Sequence, residues 1–89
     1  MTWSIEWSCE ANKFLVDSHL AEETITTLIR NSLLKFQGEE VNISISKLHG
    51  EWVGFHRIRK GKLRIIVEFI FERRVVHIEV IDWRGSVYK

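Results

Sequence analysis

The stretch from residue 52 to residue 82 constrains the fold more than any other part of this 89-residue chain. Valine, isoleucine and aromatic residues dominate it, and only two turn-like pairs interrupt it, at Lys60-Gly61 and Glu72-Arg73. An X-Gly pair between two such runs is typical of a tight β-hairpin. The sequence therefore predicts three consecutive antiparallel strands over residues 52–59, 62–71 and 74–82.

The middle predicted strand has two chemically different faces. Side chains alternate across a strand, so every second residue lies on the same face. One face of this strand is wholly apolar, and we expect it to contact the helices: it comprises Leu63, Ile65, Val67, Phe69 and Phe71. The other face carries Arg64, Ile66, Glu68 and Ile70. Arg57 and Arg59 share a face of the first strand, but whether Arg64 joins them depends on strand register, which the sequence does not determine.

The N-terminal half predicts one strand followed by two helices. Trp3, Ile5 and Trp7 alternate with polar residues, as in a strand. A short helix is expected over residues 10–17, with Ser8 as its N-cap. A longer helix is expected over residues 20–36, with Ser18 as a possible cap and Gly38 as the stop. Its apolar stripe at 3.6-residue spacing consists of Ile25, Leu28, Ile29, Leu33 and Phe36.

The segment after the second helix is ambiguous. Residues 41–45 alternate and can form a short strand or an extended link, and residues 47–50 read as a turn. Helices that precede a run of antiparallel strands indicate an α+β fold. We expect a single domain over residues 1–89, in which an N-terminal strand and a two-helix hairpin pack on a twisted, mainly antiparallel sheet.

Charge is distributed unevenly along the chain. The net charge is only +1, but residues 1–46 hold three basic and seven acidic residues, whereas residues 47–89 hold ten basic and five acidic ones. Such asymmetry indicates that the C-terminal half meets a polyanion. The alternative is a solvated face balanced by salt bridges, for example between Arg64 and Glu68 or Glu79.

Several classes of protein do not fit this sequence. Cys9 is the only cysteine, so no intramolecular disulfide can form. Neither a secretory leader nor a membrane-spanning run is evident, so we expect a cytoplasmic protein that does not enter membranes. No Cys/His spacing indicates a metal site, and no cofactor motif is present.

The hairpin region also resembles a known protein family. The pattern runs from Lys47 to Ile66. It reads Lys47-Leu48-x-Gly50-x-Trp52-x-Gly54-Phe55-x-Arg57-Ile58-Arg59-x-Gly61-x-x-Arg64-Ile65-Ile66. Together with the ending Ile81-Asp82-Trp83-Arg84-x-x-Val87-Tyr88, it resembles the RelE/ParE superfamily of bacterial type II toxins. Chain length and element order fit the same family, so the resemblance covers almost the whole chain.

The RelE branch of that family implies a metal-independent endonuclease that cuts mRNA in the ribosomal A site and so inhibits translation. In that reaction a 2′-hydroxyl attacks the adjoining phosphate, leaving a 2′,3′-cyclic phosphate and a 5′-hydroxyl. The resemblance assigns phosphate binding and transition-state stabilisation to Arg57, Arg59 and Arg64. It places Arg84 near the leaving oxygen and assigns base stacking or proton transfer to Tyr88. RNA-binding roles are expected for Lys47, Lys60, Lys62 and Trp83.

The chain departs from the family pattern at two places. The hairpin pair is often lysine in the family, and arginine is a poor proton carrier. Arg57 and Arg59 are therefore assigned to electrostatics. Asp82-Trp83 stands where many members have Gly-His or Gly-Lys before the late arginine, and Trp83 offers a stacking surface for a base.

Two alternative functions are compatible with the same fold. A ParE-type toxin poisons DNA gyrase by protein–protein contact, and an inactive homologue mainly binds its antitoxin. The Arg84 and Tyr88 pair favours the RNA-cutting branch. All three readings imply a cognate antitoxin protein in a toxin–antitoxin hetero-oligomer, and the first adds the ribosome and mRNA as partners.

Overall fold

A computed structural model describes residues 3–83 of the chain. Two helices and five strands follow one another in the order β1 (Ser4–Trp7), α1 (Cys9–Ser18), α2 (Glu22–Phe36), β2 (Ser44–Lys47), β3 (His56–Lys60), β4 (Leu63–Ile70) and β5 (Val75–Trp83), with a short 3₁₀ helix (Gly50–Trp52) before β3. The strands form one sheet in the order β1-β5-β4-β3-β2. Only β1 pairs in parallel, with β5. The expected α+β fold with a mainly antiparallel sheet is confirmed.

The two helices begin in different ways. The Ser8 side chain accepts a hydrogen bond from the Ala11 backbone N–H at 3.0 Å, so the predicted cap of α1 is confirmed. The expected Ser18 cap of α2 is wrong. Ser18 ends α1, where its hydroxyl donates to the Phe14 carbonyl at 2.6 Å, and α2 begins after Ala21 without a side-chain cap.

The helices cover one face of the sheet, here called the inner face. Ile25, Leu28, Ile29 and Leu33 from α2 are buried against it, as the apolar stripe predicted. Phe36 from the same stripe remains 41% exposed at the end of the helix. The sheet contributes Leu63, Ile65, Val67 and Phe69 from β4, Val76, Ile78 and Ile81 from β5, and Ile58 from β3.

Several predicted strand boundaries need correction, including those of the last strand, which spans Val75–Trp83 and not residues 74–82. The first hairpin strand begins at His56, not at residue 52, because the chain first forms the 3₁₀ helix and a turn. Lys60 pairs with Leu63, so the hairpin turn consists of Gly61 and Lys62, one residue later than expected. Phe71 lies beyond β4 in the next turn and is 55% exposed.

The segment between α2 and β3 resolves the remaining ambiguity. Residues 41–43 form a link, and β2 follows at Ser44–Lys47. The predicted turn at residues 47–50 is a longer loop that closes where the Leu48 backbone N–H donates to the Phe55 carbonyl at 3.0 Å.

A bulge in β5 changes which residues share a face. Ile66 pairs with Val80 while Val67 pairs with Ile78, so Glu79 is an extra residue in β5. Ile78 and Ile81 therefore both reach the inner face although they lie three residues apart. A strand without this bulge would alternate strictly and would bury only one of them there.

The opposite face of the sheet, here called the outer face, is covered only in part. Leu48, Ile66 and Val80 are buried there, packed against Trp52 and Phe55, whose rings meet edge to face at 5.6 Å. This small second cluster is the reason for the burial of Ile66 on the face opposite to the helices.

Within residues 3–83, no helix is long and apolar enough to cross a membrane.

Candidate nucleic-acid interface

Strand register decides which basic side chains share a face. Arg59 pairs with Arg64, and Arg57 pairs with Ile66. Directly paired residues project to the same side of a sheet, so Arg57 and Arg59 lie on the same face as Arg64. This is the outer face, since Ile66 belongs to the second apolar cluster. We call Arg57, Arg59 and Arg64 the arginine cluster.

The Arg64 side chain is held by backbone groups of the β3–β4 hairpin. Its Nη1 donates to the Gly61 carbonyl at 2.8 Å and to the Leu63 carbonyl at 3.3 Å. The salt bridges considered from sequence, to Glu68 or Glu79, are not the contacts that this guanidinium makes. The backbone contacts fix the Arg64 side chain without neutralising it, so its charge remains available to an anion.

The rest of the cluster differs in exposure. Arg59 is exposed and has no hydrogen bond or ion pair within the part of the chain that the structure describes. Arg57 is half-buried next to the second apolar cluster. Asp82 pairs with Arg64 from β5 and accepts a hydrogen bond from the Trp83 N–H at 2.8 Å. A carboxylate thus borders the cluster on one side, as the Asp82-Trp83 departure implied.

The predicted RNA-binding residues are not all brought to this face. Lys47 pairs with His56 and Lys60 pairs with Leu63, which places both lysines toward the inner side of the sheet. Lys62 lies in the hairpin turn between the two faces.

Trp83 also lies on the helix side. It pairs with Leu63, its indole packs on the Phe14 ring of α1 at 5.8 Å, and it is 44% exposed. Trp83 is therefore not part of the arginine cluster. The sequence could not separate the two faces at this point because the β5 bulge changes the alternation.

The other end of the outer face is acidic. His77 Nε2 lies 2.8 Å from Glu79 Oε1, and His77 Nδ1 lies 3.7 Å from Glu6 Oε1. Glu68 pairs with His77 from the neighbouring strand. The outer face thus carries the arginine cluster near the β3–β4 hairpin and a group of carboxylates near β1, with Arg73 and Arg74 in the turn after β4.

His56 is a half-buried titratable residue on the inner face. Its ring lies 5.5 Å from that of Phe36 and 5.6 Å from that of Phe69. The buried Nδ1 has no hydrogen-bond partner among the described residues. Burial and the nearby Lys47 ammonium lower the pKa of His56 below its usual value. This environment favours neutral imidazole and a structural role for His56.

Two predicted site residues, Arg84 and Tyr88, lie outside the described residues, so the structure does not place them. Among residues 3–83, no group of three or more histidine, cysteine, aspartate or glutamate side chains could hold a metal ion. What the structure does bring together is the arginine cluster and the basic hairpin turn beside it.

Known structures with a similar fold were found. A metal-bound toxin from Helicobacter pylori superimposes with a TM-score of 0.71 at 15% identity, covering 98% of this chain and 100% of that one. The E. coli DinJ-YafQ toxin-antitoxin complex gives a TM-score of 0.66 at 14% identity, with full coverage of both chains. The archaeal RelE-RelB complex from Pyrococcus horikoshii gives 0.62 at 22% identity, covering 97% of this chain and 99% of that one.

Sequence comparisons found no relative. No family model matches the chain, and no curated protein matches it. At 12–22% identity, the structural likeness shows a shared fold. It does not by itself transfer an activity.

Proposed function

Because this chain has the fold of the RelE- and YafQ-type toxins, we propose that it is the toxin of a type II toxin–antitoxin system and cleaves mRNA on the ribosome in the cytoplasm. The observation that carries this proposal is the register that gathers Arg57, Arg59 and Arg64 on the outer face of the sheet, opposite to the helices. The fold alone would fit a protein without enzymatic activity, and the cluster adds cations that can bind a phosphate and stabilise its developing charge.

The arginine cluster suits a phosphate that gains charge. Attack by a 2′-hydroxyl on the adjoining phosphate places extra negative charge on the equatorial oxygens. Guanidinium groups fixed in advance stabilise that charge, since they need no reorganisation during the reaction. Arg64 is the best-fixed member, because two backbone carbonyls hold its Nη1. We assign Arg64 to the scissile phosphate and the more exposed Arg59 to approach and binding.

Proton transfer needs a different group. Arginine stays protonated at any working pH, so the cluster cannot accept the 2′-hydroxyl proton. We propose Tyr88 for base stacking or proton transfer and Arg84 for the leaving 5′-oxygen, as the family resemblance implies. No metal or cofactor is required in this scheme.

An antitoxin is the proposed protein partner. Neighbours of the same fold include RelE with RelB and YafQ with DinJ, each in a complex. This chain exposes an aromatic patch in which the Phe36 and Phe71 rings lie 5.9 Å apart and Trp3 meets Phe71 at 5.4 Å. Exposed aromatic patches mark interaction sites in small proteins, so this patch supports a hetero-oligomer.

The test is induction of the chain in cells, followed by mapping of mRNA 5′ ends. The wild type should generate cuts at fixed positions within codons of translated messages. Arg64→Ala should reduce cutting about 10²–10³-fold, the loss typical of removing one transition-state donor. Arg73→Ala is the matched control, because Arg73 is an exposed arginine in the turn at the other end of β4, and it should cut like the wild type.

Two outcomes would overturn the proposal. Intact mRNA with gyrase-dependent DNA damage would assign the chain to the ParE-type alternative. Unaffected growth, with a folded protein by circular dichroism, would leave an inactive homologue that binds its antitoxin.

A further inference from the structure

A polar cleft lies beside the arginine cluster, where α2 meets the start of β2 and the end of β3. It encloses about 270 Å³ and is lined by Leu28, Asn31, Asn42, Ile43, Ser44, Arg59, Lys60 and Gly61. Leu28 and Ile43 are buried core residues, so one wall is apolar, and the remaining side chains are amides, a hydroxyl and cations. None of the roles assigned above explains the two asparagines.

Backbone carbonyls of the cleft are used by the fold, since Ile43 accepts from Lys35 Nζ and Gly61 accepts from Arg64 Nη1. Four of its polar side chains are not: within residues 3–83, those of Asn31, Asn42, Arg59 and Lys60 make no hydrogen bond or ion pair with the protein. An asparagine amide offers both donors and an acceptor, and it can read a hydrogen-bonding edge. A fold that leaves two amides and two cations unengaged around one cavity presents a ready set of partners for a ligand.

The cleft connects to the cluster through the hairpin turn. Gly61 lines the cleft, and its carbonyl accepts the 2.8 Å hydrogen bond from Arg64 Nη1. Arg59 belongs both to the cleft lining and to the arginine cluster. Because Arg59 pairs directly with Arg64, a ligand with a phosphate on Arg64 can also contact Arg59 and continue from there into the cleft.

We propose that this cleft holds one unpaired nucleotide of the RNA next to the phosphate bound by Arg64. The identification of the strand as RNA rests on the proposed function. Asn31 and Asn42 would bond the edge of the base, Leu28 and Ile43 would contact its face, and Arg59 and Lys60 would hold the flanking phosphate. A volume of about 270 Å³ lies just below the range of about 300–1,000 Å³ that is typical of small-molecule pockets, so the cleft suits one small ligand group.

The side-chain amides allow a direct test that needs no cleavage activity. The chain has three asparagines, of which Asn12 lies exposed on α1, away from the cleft. We expect nucleoside 5′-monophosphates, titrated into ¹⁵N-labelled protein, to shift the side-chain amide signals of Asn31 and Asn42 but not that of Asn12. Inorganic phosphate at the same concentration should leave both cleft signals in place.

Three results would overturn the assignment. Equal shifts with inorganic phosphate would reduce the cleft to an anion site without base recognition. Shifts of Asn12 as large as those of the cleft amides would indicate unspecific association. The absence of any shift up to millimolar nucleotide would exclude a nucleotide site.

A second experiment separates this proposal from the proposed function. The variants Asn31→Ala and Asn42→Ala remove only the base-reading groups, and alanine is the best helix former at position 31. Together they should weaken binding of a short single-stranded RNA roughly tenfold, since each hydrogen bond contributes modestly, while cuts change in base preference. Loss of cutting in Arg64→Ala without any change in the asparagine variants would reject the cleft and keep the toxin. Nucleotide binding without mRNA cutting by the wild type would keep the cleft and reject the nuclease.

Discussion

The two faces of β4 differ in what covers them. On the inner face, Leu63, Ile65, Val67 and Phe69 are all buried beneath the helices. On the outer face, Arg64 and Glu68 remain partly exposed, and Ile66 is buried only because the loop between β2 and β3 closes over it.

This difference separates the parts of the sequence that hold the fold from those that are available for function. The part of a strand face that lies beneath the helices is mostly apolar, because burying an unpaired polar group costs free energy. An open face tolerates charge, so three arginines can stand together on it. The loop cluster of Trp52, Phe55 and Leu48 then shields one strip of this face from water and leaves the charged ends uncovered.

The largest expected effect compares neighbouring residues on opposite faces. Ile65→Ala should reduce the free energy of unfolding by about 2–5 kcal/mol, because it leaves a cavity in the main core. Ile66→Ala should cost less, about 2 kcal/mol, since the small loop cluster can collapse around the lost atoms. Urea denaturation followed by tryptophan fluorescence measures both. An equal or larger loss for Ile66→Ala would show that the second cluster is as rigid as the main core.

An intermediate effect concerns the histidine enclosed on the inner face. The lowered pKa of His56 means that the unfolded chain binds its proton more readily than the native state does. Stability should therefore be full above about pH 6.5, the usual histidine value, and should fall as the pH drops toward the lowered native pKa. His56→Phe keeps an aromatic ring between Phe36 and Phe69 and removes the titration.

Thermal unfolding of the wild type and His56→Phe at pH 7.5 and pH 5.5 measures this difference. The variant should lose less stability between the two values than the wild type does. The same loss in both proteins would place the acid-sensitive group elsewhere in the molecule.

The smallest expected effect on stability belongs to the outer face. Arg59→Ala should change the free energy of unfolding by less than about 0.5 kcal/mol, because the exposed side chain has no partner within residues 3–83. It should nevertheless flatten the dependence of single-stranded RNA binding on salt by about 0.7 in log K against log salt, the value for one lost phosphate contact. Arg73→Ala should leave that slope unchanged. A slope equal to that of the wild type would remove Arg59 from the RNA-binding surface.

The sequence predicts the helices, strands and buried faces of this fold better than it predicts where the helices and strands begin and end. Hydrophobic periodicity identifies β1, both helices and the two faces of β4, because burial of a regular element leaves a regular pattern. The predicted cap of α2 and the predicted start of β3 are wrong because other local hydrogen bonds form at these two places. Ser18 bonds back to the Phe14 carbonyl, and the residues before His56 form a 3₁₀ turn.

The candidate site was predictable in composition and not in arrangement. The arginines stand out in the sequence, but only register places Arg59 opposite Arg64. Strict alternation along β5 would place Trp83 on the outer face with the arginines, but the extra residue Glu79 places it on the inner face. The cleft is lined by residues from α2, from the link to β2 and from the β3–β4 hairpin. Residues that are brought together only by tertiary folding leave no local pattern in the sequence.

The parallel pairing of β1 with β5 has a consequence for the timing of biosynthesis. The Ser8 hydroxyl at the end of β1 donates to the Glu79 carbonyl, 71 residues further along the chain, and the Ser4 N–H donates to the Arg74 carbonyl. These contacts cannot form until β5 has left the ribosome, and contacts of such high sequence separation form slowly. The sheet therefore cannot be completed until nearly the whole chain has been made. A chain shortened before β5 would leave β1 without its pairing partner in the sheet.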